Sequence, residues 1–307
     1  MGRGIVVLGI FVADATFRAD RQPRIGETVL GRSFALSPGG KGSNQAVAAA
    51  RAGAEVHFIT RLGKDAFADM ARRVWAEAGV RADVTEDAKS YTGAAGIVVE
   101  HDSGNNAIIV APGAASRITV GDLDARAELV SKAAVFVAQL EQPVEAARRG
   151  LEIARAGGAT TILNPAPAAP LPDAMLALCD FITPNETEAE ALTGIAVAGL
   201  GDAERAADVL LSKGVGAVIL TLGAAGALYK DRTGSVHVPA VDAGPVVETT
   251  GAGDAFNGGF ACALAEGRNV LDAVRMGCAT GGLSVTRAGA ASSMPDRAEI
   301  DAIMKLS

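Results

Sequence analysis

Aromatic residues are scarce in this 307-residue chain: one Trp, two Tyr and nine Phe, 4% in all. The core must therefore be packed mostly from Ala, Val, Ile and Leu. Cysteine is equally sparse. Cys179, Cys262 and Cys278 show no CxxC spacing, and an odd count argues against a disulfide framework and fits a reducing, cytoplasmic compartment. Three His and three Cys that never cluster at ligand spacing leave no expectation of zinc. Positive charge is in deficit, with 28 Lys plus Arg against 35 Asp plus Glu and a net charge of −7. That balance argues against a sequence-independent grip on nucleic-acid phosphate and against binding an anionic membrane. Long apolar runs are missing too. The longest near the start, residues 5–13, falls far below the ~20 residues of a membrane span. With Arg3 before it, that run loosely imitates a secretory signal, but Asp14 ends it, and it reads as a buried first strand.

What is present describes a globular chain, 49% apolar and 21% charged. A chain of this length buries roughly 75% of its unfolded surface and needs no covalent staple. Val- and Ile-rich runs alternate with Ala-rich stretches of helical length, the pattern of βαβ units around a parallel sheet. Strands are expected at 4–12, 55–60, 134–138, 160–163, 180–183 and 217–221. Helices are expected at 43–52, 65–78, 144–156, 186–192, 202–213, 254–266 and 271–285. Gly53, Gly79, Gly157, Gly194, Gly214 and Gly267 follow six of these helices as left-handed caps. Two regions break the rhythm. Residues 17–37 have no helical period, and 93–100 with 105–110 read as strands joined by the turn His101-Asp102-Ser103-Gly104. Such pieces inserted early in an α/β chain suggest a small sheet lying over the main one as a lid.

Four stretches carry chemistry. In Thr249-Thr250-Gly251-Ala252-Gly253-Asp254 an extended run stops at a glycine turn, and a helix is expected to start at Asp254. Glycines admit an anion to the backbone, and unsatisfied N–H groups at a helix start point at it. Asp254 beside that cradle is placed to take a proton from an attacking hydroxyl, although it reads equally as an N-cap. An ordinary Asp, with a pKa of about 4, is already ionised at neutral pH. The second stretch, Gly39-Gly40-Lys41-Gly42-Ser43-Asn44, opens another helix and offers Lys41 and Asn44 to a polyhydroxy ligand; it lacks the endings of a P-loop and of GxGxxG. Third, Asn185 and Glu188 share a helix face, a pairing suited to Mg²⁺ held largely through water, while Thr183-x-x-Glu186 scans as a capping box. Fourth, Thr221 to Gly226 ends a buried strand in a tight turn before 227–230, lining a nucleotide pocket or forming a plain hairpin.

In this order the stretches resemble the ribokinase-like, phosphofructokinase-B type family of sugar and nucleoside kinases. The marks are GGKGSNQA at 39–46, AQLEQP at 138–143, NPAP at 164–167, TPNETEAEALTG at 183–194, TLGAAG at 221–226, TTGAGDAFNGGF at 249–260 and SVTRAGA at 284–290. The resemblance implies one α/β kinase domain over 1–307: a doubly wound, mostly parallel sheet flanked by helices, with a β-lid from segments 13–38 and 92–112. It implies ATP-dependent transfer of the γ-phosphate to a primary hydroxyl of a pentose-like sugar, D-ribose first. Asp254 would then be the general base, with Gly251, Ala252 and Gly253 as the anion hole. Asp14, Gly40, Lys41, Gly42, Asn44 and Glu141 match sugar-binding positions. Asn185, Thr221, Gly223, Gly226, Gly253 and Cys278 match the ATP site, and Glu188 is tied to Mg²⁺. Glu248, Thr250, Ser284, Arg287, Gly289 and Ser293 match a monovalent-cation site, K⁺ being the ion it allows. Partners would be the sugar and ATP, without nucleic acid or membrane, and two lids pairing into a homodimer.

Departures from the family pattern bear on the substrate. Val12-Ala13-Asp14 stands where Asn-Ala-Asp is usual, so one sugar-hydroxyl contact is missing. Glu248 replaces an Asp at the cation position, and Cys278 replaces the usual Asn or His beside the adenine. Competing readings are a family kinase for 2-keto-3-deoxygluconate, fructose or a nucleoside, and a non-catalytic sugar or nucleotide sensor. A pure binder, however, needs no base at position 254.

Overall fold

The computed structural model describes residues 4–306. Its strands are β1 (Ile5–Leu8), β2 (Val12–Ala19), β3 (Ser33–Gly39), β4 (Val56–Leu62), β5 (Arg81–Glu86), β6 (Thr92–Glu100), β7 (Asn106–Gly113), β8 (Val135–Ala138), β9 (Thr160–Leu163), β10 (Phe181–Ile182), β11 (Ala217–Thr221), β12 (Ala227–Lys230) and β13 (Ser235–Val238). The α-helices are α1 (Lys41–Arg51), α2 (Ala66–Ala78), α3 (Val120–Asp124), α4 (Ala127–Ser131), α5 (Val144–Ala156), α6 (Asp173–Leu176), α7 (Glu186–Thr193), α8 (Leu200–Ser212), α9 (Ala252–Ala265), α10 (Val270–Ser284) and α11 (Arg297–Met304).

Among the described residues the strands make two sheets. Nine run in the order β13-β12-β11-β10-β9-β8-β1-β4-β5, parallel from β11 to β5, with β12 and β13 antiparallel at one edge. Side chains alternate across the sheet. Ile5 and Val7 join a cluster with α1, α2, α9, α10 and α11, whereas Val6 and Leu8 join another with α3 to α8. Both faces are covered, as a parallel sheet requires. The second sheet, β3-β2-β6-β7, is the lid; its outer pairs are antiparallel and its central pair, β2 with β6, is parallel. Phe17, Phe34, Leu36, Ile108, Ile109 and Val110 of the lid are exposed.

Small residues set the spacing that the site depends on. α1 and α9 approach so closely that a Cβ on Gly258 would lie 2.7 Å from the Ala49 nitrogen. The single Trp braces α1 from the other side: Trp75 donates to Ser43 Oγ at 2.9 Å and meets Phe11 and Phe58 edge to face.

Several expectations need correction. The apolar run 4–12 is two strands: β1 ends at Leu8, the chain turns over Gly9 to Phe11, and Val12 opens the lid. Residues 17–37, which had no legible period, supply the end of β2 and most of β3. The left-handed glycine after α5 is Gly158, with φ 79°, because the C-cap Gly157 stays right-handed at φ −80°. β5, β13, α3, α4, α6 and α11 were not anticipated. No helix among the described residues is long and apolar enough to cross a membrane.

Candidate active site

The order of the large sheet reverses between β8 and β1, and ligands of open α/β sheets bind outside the carboxyl ends of strands at such a switch. Each strand there hands over to a polar residue: Gln139 after β8, Asn164 after β9, Thr183 after β10, with Thr221 ending β11. Glycines bring α1 to the same place. A Cβ on Gly42 would lie 2.6 Å from Gly9 Cα, and Gly40 is left-handed at φ 92° with the Phe11 backbone 3.0 Å from any side chain it might carry. α1 therefore begins at Lys41, two residues earlier than the pattern suggested.

α9 also starts early. Gly251, left-handed at φ 80°, is the N-cap, so Asp254 is the third helical residue rather than the cap. Its side chain is buried and accepts from Asn44 Nδ2 at Oδ2 and from Gln45 Nε2 at Oδ1, both at 3.0 Å. Burial pushes this carboxyl above the ordinary Asp range, contrary to the expectation of an unperturbed group. The Lys41 charge and the two amide donors oppose that push. Of the three expected anion-hole amides, Ala252 N–H is engaged by the Thr249 carbonyl at 3.1 Å. Among the described residues, the N–H groups of Gly251, Gly253 and Asp254 meet no protein acceptor.

Lys41 ties together the other residues expected to bind sugar. Its backbone N–H donates to Glu141 Oε2 at 2.7 Å, and burial raises Glu141 to about 7, with Lys41 opposing and Asp254 and Asp14 adding to the rise. Burial likewise raises Asp14 to about 6. Its carboxylate lies against Gly39, where a Cβ would come 2.6 Å from Asp14 Cγ. Val12 shares the Asp14 face of β2 by strand alternation.

On the opposite side Asn185 and Thr221 meet in a parallel bridge, and Thr221 N–H donates to the Pro184 carbonyl at 2.9 Å. The capping box is Asn185 with Glu188, not Thr183 with Glu186: Asn185 Oδ1 accepts from Glu188 N–H at 2.8 Å, and Glu188 Oε2 accepts from Asn185 N–H at 2.9 Å. Glu188 is buried and raised by burial, with Lys41 opposing. The described residues contain no group of three or more His, Cys, Asp or Glu placed to hold a metal ion. The residues present therefore suit Mg²⁺ only in its water- and phosphate-held mode. The 3₁₀ turn Gly223–Ala225 joins β11 to β12 as expected; a Cβ on Gly223 or on Gly253 would meet nothing within 4 Å. Gly226 instead tucks under the Val238–Ala240 backbone. Cys278 is buried in the α9–α10 packing, which raises its thiol to about 12.

The segments expected to hold a monovalent cation are linked. Glu248 Oε2 accepts from Gly289 N–H at 2.9 Å, and Val247 and Glu248 both direct N–H groups at the Val285 carbonyl. Ser284 and Ser293 are buried, their hydroxyls donating to Gly281 and Ala290 carbonyls, and the Arg287 guanidinium pairs with Glu299. Thr250 lies exposed one residue before the α9 cap. Residue reasoning missed Gly39 and four polar residues that touch or brace the site: Gln45, Asn164, Thr183 and Asn257.

Comparison with known proteins fits this geometry. The profile of the pfkB family carbohydrate kinases matches residues 3–297. The chain is 39% identical over 300 residues to a ribokinase of Haemophilus influenzae, covering 97% of each. It is 36% identical over 304 residues to a deoxyribokinase of Salmonella typhi, covering 98% of this chain and 99% of that one. Among solved structures, Arabidopsis thaliana ribokinase complexed with ribose and ATP superposes with a TM-score of 0.94 at 30% identity, covering both chains completely. With a buried carboxylate in the same helical turn as unengaged amides, and family likeness along nearly the whole sequence, the chain belongs to the pfkB family of carbohydrate kinases.

Proposed function

We infer that the chain is an ATP-dependent ribokinase, forming ribose 5-phosphate by transfer of the γ-phosphate to the primary hydroxyl of D-ribose. One observation carries the chemistry: Asp254 is buried, held at both oxygens by amide donors, and stands in the first turn of α9 beside the unengaged N–H groups of Gly251 and Gly253. The hydroxyl donates to the Asp254 carboxylate and gives up its proton to it as the new P–O bond forms and the γ-phosphorus parts from the bridging oxygen, which leaves with ADP. The amides of Gly251 and Gly253, joined by that of Asp254, receive the charge on the transferred phosphoryl oxygens. Ala252 leaves that set because its N–H is already bonded.

Asp14, Lys41, Asn44 and Glu141 hold the sugar, with Gly40 and Gly42 allowing α1 to reach it. Asn185, Thr221 and Gly223 line the ATP site, Gly226 closes the turn beneath them against the Val238–Ala240 backbone, and Cys278 lies on its α10 side. When bound, Mg²⁺ neutralises phosphate charge, and Glu188 is the carboxylate nearest to that task. K⁺ belongs between the 248–250 and 284–293 segments. The whole is one kinase unit of the cytoplasm, where its three buried thiols stay reduced. A second copy covers the exposed lid residues Ile108, Ile109 and Val110.

A second reading, 2-deoxyribose, is favoured by Val12 on the face of Asp14 and by the deoxyribokinase relative. The test is Mg²⁺-dependent ADP release over ribose, 2-deoxyribose, fructose, 2-keto-3-deoxygluconate and a nucleoside. Ribose is expected to give the highest kcat/KM. A wide margin for any other sugar overturns the substrate assignment, and no turnover with any of them supports a sensor.

A further inference from the structure

Two buried amides near Asp254, those of Asn164 and Asn257, have their directions fixed by backbone carbonyls. Asn164 Nδ2 donates to the Thr183 carbonyl at 3.0 Å, an acceptor that has no alternative role. Asn164 Oδ1 therefore faces Gln45 and accepts from its Nε2 at 3.0 Å. That same nitrogen gives its other proton to Asp254 Oδ1, while Gln45 Oε1 accepts from Gln139 Nε2 at 2.7 Å. Gln45 is thereby fully bonded in one orientation only. A second branch starts from the same residue. Asn257 Nδ2 donates to the Gly253 carbonyl at 2.8 Å, so its Oδ1 faces Thr183 and accepts the hydroxyl proton at 2.7 Å. The side chains of Thr183, Asn164, Gln45, Gln139 and Asn257 are all buried.

We propose that Thr183 is a positioning residue joining both halves of the transfer machinery: its carbonyl, through Asn164 and Gln45, sets a donor on Asp254, and its hydroxyl, through Asn257, holds the Gly253–Asp254 peptide. The role rests on Asp254 being the base and the α9 amides the anion hole. A reversed amide anywhere in the first branch would aim a carbonyl oxygen at the carboxylate and drive the base toward its neutral form. A slack second branch would let the Asp254 N–H swing from the phosphoryl oxygens. The charges facing Asp254 from the surrounding elements are Lys41 on α1, Glu141 after β8 and Glu188 on α7, with Asp14 on β2 acting on Glu141; the relay leaves all four unchanged.

The test uses the intact chain and two independent arms, beside Asp254→Asn as control. Thr183→Val keeps the shape but removes the hydroxyl; kcat should fall about tenfold, the worth of one such bond, with both KM values within about twofold, and Thr183→Ser should restore it. Gln45→Met keeps length but removes the donor; the acid limb of kcat/KM should move up by about one pH unit, since a donor to the charged form lowers its pKa. Thermal melting confirms that each variant is folded, and either arm decides if the other variant fails to fold. Loss of turnover in Asp254→Asn with unchanged kcat in Thr183→Val and an unmoved acid limb in Gln45→Met overturns the relay alone. Full turnover in Asp254→Asn overturns the base assignment and the relay with it.

Discussion

Lys41 N–H donates to Glu141 Oε2 at 2.7 Å, joining the first turn of α1 to the segment after β8, 100 residues away in sequence. Burial is the main reason Glu141 sits at about 7 instead of 4.5. Between those values the native chain keeps a proton that the unfolded chain has released. Stability from this group therefore falls as pH rises through the window and is lowest above 7. Glu141→Gln removes the titration yet keeps an oxygen for Lys41 N–H. Thermal melts of the free protein should show the variant gaining a few degrees on wild type between pH 5 and pH 8, with sugar affinity reduced. A difference that is flat across pH refutes the assignment.

Gly39 makes room for Asp14. With Gly39→Ala the new methyl would come 2.6 Å from Asp14 Cγ, and the carboxylate, a short movable group, must swing aside. Stability should change little because no backbone has to move. The sugar site loses a hydrogen-bonding partner, which corresponds to a rise in sugar KM of about tenfold, with ATP KM and kcat near wild type. Steady-state kinetics against each substrate separates these terms.

Gly253 faces open space, so an added methyl has nothing to collide with in the free protein. Ala is also the better helix residue, so Gly253→Ala should keep or raise the melting temperature, by the equivalent of about 0.5 kcal/mol. The methyl would lie beside the amide proposed to meet the γ-phosphate, and kcat should fall by about 10²-fold, the worth of one preorganised donor. A variant more stable and still fully active would place phosphoryl transfer elsewhere.

How far the chain could be read in advance varies with the kind of signal. Glycine turns followed by Ala-rich helices gave α1, α9 and the β11–β12 turn, because such turns have little conformational choice. The break at Gly9 was invisible: residues 5–13 are apolar whether the chain runs on as one strand or leaves the sheet. What decides is the contact of Gly9 with Gly42, which lies far along the sequence. Asp254 was legible as a carboxylate at a helix start, but not the shift imposed by its burial. Gln45, Asn164, Thr183 and Asn257 lie inside the marked stretches but drew no role in the site, since a lone amide or hydroxyl has no period. Their shared trait is position, in or beside the turns where apolar runs stop.

The cation segments carry the last prediction. Arg287 is itself a cation in a stretch expected to bind K⁺, but its guanidinium is paired with Glu299 on α11. Glu248 Oε2 ties the 248–250 segment to Gly289, from whose N–H it accepts. Glu248→Gln preserves an oxygen for that N–H and removes only the charge. If K⁺ binds here, wild-type activity should be higher in K⁺ than in tetramethylammonium. The K⁺ concentration for half-activation should then rise about tenfold in Glu248→Gln, as expected for losing one unit charge in direct contact. Equal wild-type activity in the two salts would show that the linked segments serve the fold without binding an ion, because a cation too bulky for a cage of carbonyls cannot substitute for one that fits.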